Sequence, residues 1–146
     1  MNRPNAGGFL RLRTDGGARG NPGPAGLGMV VEARDGTRLW AAYSYAGVMT
    51  NNRAEYLALI EGLRKALQFA PGELEVCLDS ELVVRQMNGR YKVRNADLKP
   101  LAQEAQELLR RFPAVRIRHV PRSENAVADA LANRAMDQHR RGASSK

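Results

Sequence analysis

The hydrophobic pattern of this chain changes character once, at Thr50, and that change limits the folds open to it. Before Thr50 the chain reads as strands; after it, stretches with a helical period take turns with short apolar runs. Phe9 to Thr14 alternates, with Leu10, Leu12 and Thr14 on one face and Phe9, Arg11 and Arg13 on the other. Asp15 falls on the arginine-bearing face, where Gly16-Gly17 is expected to end the strand. A Gly/Pro-rich turn, Gly20-Asn21-Pro22-Gly23-Pro24, leads into two more strands, expected at about 26–34 and 38–47. Asp35-Gly36 between them is a strong hairpin signal.

Thr50-Asn51-Asn52 suits a helix cap, and Pro71-Gly72 stops the helix near Ala70. Glu61, Arg64, Lys65 and Gln68 form its wet side, and Ile60, Leu63 and Leu67 its apolar side. Ala58, Gly62 and Ala66 make a small-residue ridge that allows close approach to a sheet. Glu55, expected in the first turn, points inward with Leu59 and Gly62, an odd place for an acid with only structural duties. A short strand at 74–78 ends at Asp79, and Ser80 caps a helix to about Asn88. The basic loop Gly89-Arg90-Tyr91-Lys92-Val93-Arg94 leads to a helix expected at about 96–111. A strand at 114–120 and an alanine-rich helix to about His139 follow, the helix capped by Ser123 with Asp129 in its second turn. This order predicts an α/β (α+β mixed) domain over residues 9–139, a five-stranded mixed sheet with helices on both faces. Residues 1–8 read as a flexible lead-in and 140–146 as a disordered basic tail. If the strand at 74–78 lies parallel beside the first, Asp15 and Asp79 emerge on one face at neighbouring ends, with Arg11 and Arg13 near Glu75.

At 146 residues the chain suits one core. Hydrophobic residues at 43% and charged residues at 26% are the balance of a soluble globular protein, and no apolar run is long enough to span a membrane. No apolar segment near the N-terminus resembles a secretory signal, and the single cysteine, Cys77, fits a buried thiol in a reducing cytoplasm. A formal charge of +8 favours polyanionic partners such as nucleic acid.

Asp15, Glu55, Asp79 and Asp129 come from four separate elements. Taken singly, Asp15 and Asp79 also suit turns, Glu55 a helix first turn and Asp129 a solvated helical face. Gathered together they would repel unless protons or cations intervene, and oxygen-rich acidic clusters are natural sites for Mg2+ or Mn2+. The residues around them narrow the choice. Thr14-Asp15-Gly16-Gly17-Ala18-Arg19-Gly20-Asn21-Pro22-Gly23-Pro24 resembles the first signature of the type 1 ribonuclease H family, and Thr50-Asn51-Asn52-Arg53-Ala54-Glu55-Tyr56 the second. Leu78-Asp79-Ser80-Glu81-Leu82-Val83 resembles the third, and Glu124-Asn125-Ala126-Val127-Ala128-Asp129-Ala130-Leu131-Ala132 the fourth. Their order and approximate spacing also match, over roughly residues 9–137.

The resemblance implies the ribonuclease H-like fold and an endonuclease that cuts the RNA strand of RNA–DNA hybrids with two Mg2+ or Mn2+ ions, leaving 5′-phosphate and 3′-hydroxyl ends. It implies Asp15, Glu55, Asp79 and Asp129 as the metal-binding catalytic carboxylates. It also implies that Asn21, Asn51 and Asn52 approach the minor groove of the hybrid, where 2′-hydroxyls mark RNA. Glu55 would meet a 2′-hydroxyl, Thr50 and Asn95 a DNA phosphate, and Gly16 and Gly17 would let the backbone near the RNA. The interval from Asn88 to Val93 is too short for the extra helix and basic handle of some bacterial members. Arg90, Lys92 and Arg94 either replace part of that charge or form a solvated loop, and hybrid binding is expected to be weaker and more salt-sensitive than in handle-bearing members. His119 reads as structural, whereas Arg122 resembles the arginine of shorter members and is assigned to the scissile phosphate. The expected protein is a monomer acting on hybrid, with double-stranded RNA as a further candidate substrate. The competing readings are a non-catalytic hybrid- or double-stranded-RNA-binding module, and a DNA integrase, transposase or junction resolvase.

Overall fold

A computed structural model of the chain describes residues 7–144. Three antiparallel strands come first: β1 (Phe9–Ala18), β2 (Gly23–Ala33) and β3 (Arg38–Met49). Helix α1 (Asn51–Gln68), strand β4 (Glu73–Leu78), helices α2 (Glu81–Met87) and α3 (Lys99–Leu109), strand β5 (Val115–His119) and helix α4 (Ala126–Ser144) follow. The sheet order is β3-β2-β1-β4-β5, antiparallel among the first three strands and parallel from β1 to β4 to β5. The mixed five-stranded sheet read from the pattern is therefore the observed one.

The alternation in β1 decides which helix meets which face. Leu10 and Leu12, both fully buried, point with Leu74, Val76 and Val31 towards α1, α2 and α3, where Tyr56, Leu59, Leu63 and Val83 complete the main core. The small-residue ridge of α1 works as expected. A Cβ at Gly62 would come within 2.7 Å of Thr14 Cγ2 and 2.9 Å of a Leu12 methyl, so helix and strand touch there. On the opposite face α4 packs over β2, β3 and β1. A Cβ at Gly28 would lie 2.1 Å from the Ala128 carbonyl oxygen and one at Gly26 2.2 Å from that of Ala132. Helix α4 thus rests almost directly on the β2 backbone.

Several expected boundaries move, each for a local reason. Strand β1 does not stop at Gly16-Gly17 but runs to Ala18, because Gly16, Gly17 and Ala18 pair with Leu27, Gly26 and Ala25 of β2. Helix α1 ends at Gln68 because Ala70, before Pro71, is forced from the right-handed helical region to a φ of 51°. Helix α3 begins at Lys99 rather than near Ala96, with Pro100 in its first turn and Asn95 Oδ1 accepting from the Asp97 amide in a preceding turn. Ser123 sits inside a 3-10 turn (Arg122–Asn125) instead of capping α4, which starts at Ala126.

The expected termini also change. Residues 1–6 of the lead-in lie outside the described residues. Gly7 and Gly8 are tied to the turn after α1, with the Gly7 amide donating to Ala70 O at 2.8 Å and Gly8 O accepting from the Gly72 amide at 2.9 Å. The disordered tail expected from residue 140 is not observed through Ser144, because α4 continues that far. Residues 145 and 146 lie outside the described residues.

Candidate active site

The parallel pairing of β1 with β4 brings the two strand-borne acids to one end of the sheet. Arg13 pairs with Cys77, so Asp15 and Asp79, each two residues further on, emerge side by side on one face. Glu55 arrives from α1. Its helix begins at Asn51, so Glu55 lies in the second turn, not the first. The start of α1 is fixed by Thr50, whose hydroxyl accepts from the Arg53 amide at 3.3 Å. Glu55 Oε1 accepts from the Gly16 amide at 2.7 Å. Only glycine fits there, since a Cβ at position 16 would fall 2.1 Å from the Ala54 carbonyl oxygen.

One carboxylate oxygen from each of Asp15, Glu55 and Asp79 lies within 4.8 Å of the others. Asp129 stands at the edge of this trio, in the first turn of α4 rather than the second, and within hydrogen-bonding reach of Asp15. Burial, then the negative charges of Glu55 and Asp79, hold the Asp15 carboxyl far above the usual carboxylate range. Glu55 is also pushed up, chiefly by burial, against the opposing pull of the Gly16 amide. Such a group keeps protons at neutral pH unless a cation replaces them. The donor set, carboxylate oxygens only, is that of a hard divalent cation such as Mg2+ or Mn2+.

The acids line an open groove of about 440 Å³, together with Gly16, Gly17, Asn51, Asn52 and Arg122. Arg122 reaches Asp129 at 3.2 Å while remaining 78% exposed, so its guanidinium can still turn towards a ligand. Asn21 and Asn51 join the loops beside the groove. The Asn51 amide donates to Asn21 Oδ1 at 3.0 Å, and Asn51 Oδ1 accepts from the Ala18 amide at 2.7 Å. Thr50, Lys92 and Asn95 do not line the groove, and Lys92 and Asn95 are exposed. His119 ends β5 and is exposed. Cys77 is a buried free thiol, its pKa raised mainly by burial.

Sequence reasoning missed four features of the site. Arg19 lines the groove and pairs across to Asp137 at 2.6 Å and Asn133 at 3.3 Å, both on α4. Asn133 follows Asp129 by one helical turn, a spacing that could have flagged it. Ser80, besides capping α2 through its hydroxyl, also lines the groove. Asn125, fully buried, donates through Nδ2 to the Thr14 carbonyl at 2.9 Å. That bond ties the start of α4 to β1 one residue before Asp15.

With this geometry in hand, a family model described as Reverse transcriptase-like matches residues 13–135. The ribonuclease HI of Halobacterium salinarum is 42% identical over 135 residues, covering 92% of this chain and 68% of that protein. A bifunctional protein of Mycobacterium tuberculosis is 48% identical over 127 residues, covering 86% of this chain; the chain spans only 35% of that relative. Among solved structures, LC11-RNase H1, isolated from compost by a metagenomic approach, superposes with a TM-score of 0.84 at 44% identity over 89% of this chain and 98% of that one. That crystal structure holds an RNA/DNA hybrid.

Proposed function

The chain belongs to the type 1 ribonuclease H family, and from that premise we propose that it is an endonuclease hydrolysing the RNA strand of RNA–DNA hybrids with two divalent cations. The observation that carries this reading is the convergence of Asp15, Glu55 and Asp79 within 4.8 Å in an open groove. Asp15 and Asp79 would hold both ions, with Glu55 and Asp129 each completing one. The chemistry such ions supply when bound is charge neutralisation, a lowered pKa for water, and stabilisation of the charge that builds on the phosphate and the departing oxygen. A water oxygen bonds to phosphorus and the P–O3′ bond breaks, leaving a 5′-phosphate and a 3′-hydroxyl.

The chain's own residues position the substrate. Gly16 and Gly17 admit the RNA backbone to the groove, and Glu55, anchored by the Gly16 amide, meets a 2′-hydroxyl. Asn51 and Asn52 face the groove from the start of α1, with Asn21 bracing Asn51. Arg122 trades Asp129 for the scissile phosphate, since a guanidinium can bind two phosphate oxygens at once. Thr50 and Asn95 are assigned to a DNA-strand phosphate and Lys92 to the more distant backbone. The protein is read as a monomer with double-stranded RNA as a secondary substrate. Its unpaired buried Cys77 suits the cytoplasm, and no helix among the described residues is long and apolar enough to cross a membrane.

The test compares labelled RNA–DNA hybrid, double-stranded RNA and double-stranded DNA, each with Mg2+, Mn2+ or chelator. Hybrid should be cut in either metal and spared in chelator. Asp79→Asn should abolish cleavage while keeping the circular dichroism and melting of a folded protein. Binding of hybrid without cleavage under any metal would favour the non-catalytic module instead.

A further inference from the structure

The face of the sheet that carries Asp15 and Asp79 continues behind them as rows of arginine. Register places Arg13, Cys77 and Arg118 in the next row and Arg11, Glu75 and Arg116 in the row after. Residues two apart on a strand repeat at roughly 7 Å, so these rows stand about 7 and about 13 Å behind the acids. Helix α4 covers this face over β2, β3 and β1, whereas β4 and β5 are covered by side chains.

Those side chains do not balance. Glu75, 4% exposed, accepts from Arg11 at 2.9 Å, Arg116 at 2.5 Å and Arg118 at 3.4 Å. Arg11 and Arg13 share Glu32. Arg122 and Glu124 of the adjoining 3-10 turn, with Asp129 as the partner of Arg122, bring the count to five guanidinium groups against four carboxylates. A network that served only to cover a sheet would gain from equal charges; here the arginines repel one another across a single buried acid. Arg116 and Arg118 are 67% and 44% exposed. Each guanidinium has five N–H donors and spends few of them on Glu75, which leaves a fork facing outward. Arg122, three residues beyond β5, continues the line to the rim of the groove.

We propose that Arg116 and Arg118 form a single-file anion track that binds the phosphates of an unpaired nucleic-acid strand running on from the hybrid in the groove. The inference rests on the hybrid-cleaving reading above and adds a substrate feature, a single-stranded extension. One file of exposed cations on one strand suits one phosphodiester chain rather than a duplex.

The experiment compares a short blunt hybrid with the same hybrid carrying a single-stranded extension on either strand. Cleavage gives kcat and KM, and fluorescence anisotropy of the labelled oligonucleotides gives affinity without turnover. The extension should tighten binding in the native protein. In the double variant Arg116→Gln/Arg118→Gln that gain should vanish, with kcat and the KM for blunt hybrid unchanged. The slope of log affinity against log salt for the extended hybrid should fall by about 1.4, at about 0.7 per single-strand phosphate. That corresponds to a loss of up to about 25-fold between 1 M and 0.1 M salt. Arg116→Gln alone leaves Glu75 with Arg11 and Arg118 and should lower the slope by about half as much; it stands in if the double variant fails to fold. An extension that adds nothing in the native protein, or a gain that survives both variants, overturns the track. Failure to cut either hybrid, with the anisotropy difference intact, overturns the nuclease reading alone.

Discussion

Replacing Glu75 by Gln should cost about 3 kcal/mol at neutral pH, and the cost should disappear in acid. The Glu75 carboxyl is nearly inaccessible, yet three arginines hold it at a pKa of about 2 against an ordinary 4.5, overcoming the opposing effect of burial. That difference compares the ionised with the protonated side chain in the folded protein, and Gln is a close neutral mimic of the latter. At about 1.4 kcal/mol per pKa unit, the depression corresponds to roughly 3 kcal/mol. Because the folded pKa lies below the unfolded one, this stability is fully present above pH 4.5 and is lost as pH falls towards 2. Urea unfolding of both proteins at pH 7, 5 and 3 would measure it. The gap between them should be constant from 7 to 5 and should narrow by pH 3. A Gln variant as stable as the parent at pH 7, or a gap that does not change with pH, would show that the three arginines do not stabilise the ionised form.

Asp15→Asn should be inactive yet, in chelator, melt at a higher temperature than the parent, because Asn is neutral without the proton that the buried Asp15 carboxyl has to take up on folding. The raised carboxyls of Asp15 and Glu55 mean that the folded, metal-free protein holds more protons than the unfolded chain. Its stability should therefore decline as pH rises above the ordinary carboxylate range, and added Mg2+ or Mn2+ should reverse that decline; melting at pH 5, 7 and 9 with and without metal checks both. Gly28→Ala places a Cβ 2.1 Å from the Ala128 carbonyl oxygen, so α4 must lift and carry Asp129 with it. A loss of about 1–3 kcal/mol in chemical unfolding, with activity falling further than stability explains, is the expected result.

Local order was legible in the sequence. Alternation in Phe9–Thr14 named the buried Leu10 and Leu12, Thr50 and Ser80 announced their caps, and Ala58, Gly62 and Ala66 announced a helix pressed on a sheet. The four signatures pointed to the family and to four acids that line one groove. Element ends were less legible, because they depend on partners. Gly16 and Gly17 look like a stop until β2 pairs with them, and Ser123 looks like a cap until Pro121 and the 3-10 turn displace the start of α4. The expected pairing of Arg11 with Glu75 is present. Arg13 instead finds Glu32 and the Glu124 carbonyl, because register sets it opposite Cys77.

The chain alone determined which residues are apolar, which turn and which carry charge, since those are properties of side chains and of their neighbours within a few positions. Which charges meet was decided by the tertiary structure. Asp15 and Asp79 are 64 residues apart in number but side by side in space, and Glu75 draws arginines from β1 and from β5. Electrostatic energy depends on distance and burial, and both are fixed only when strand register and helix packing are fixed.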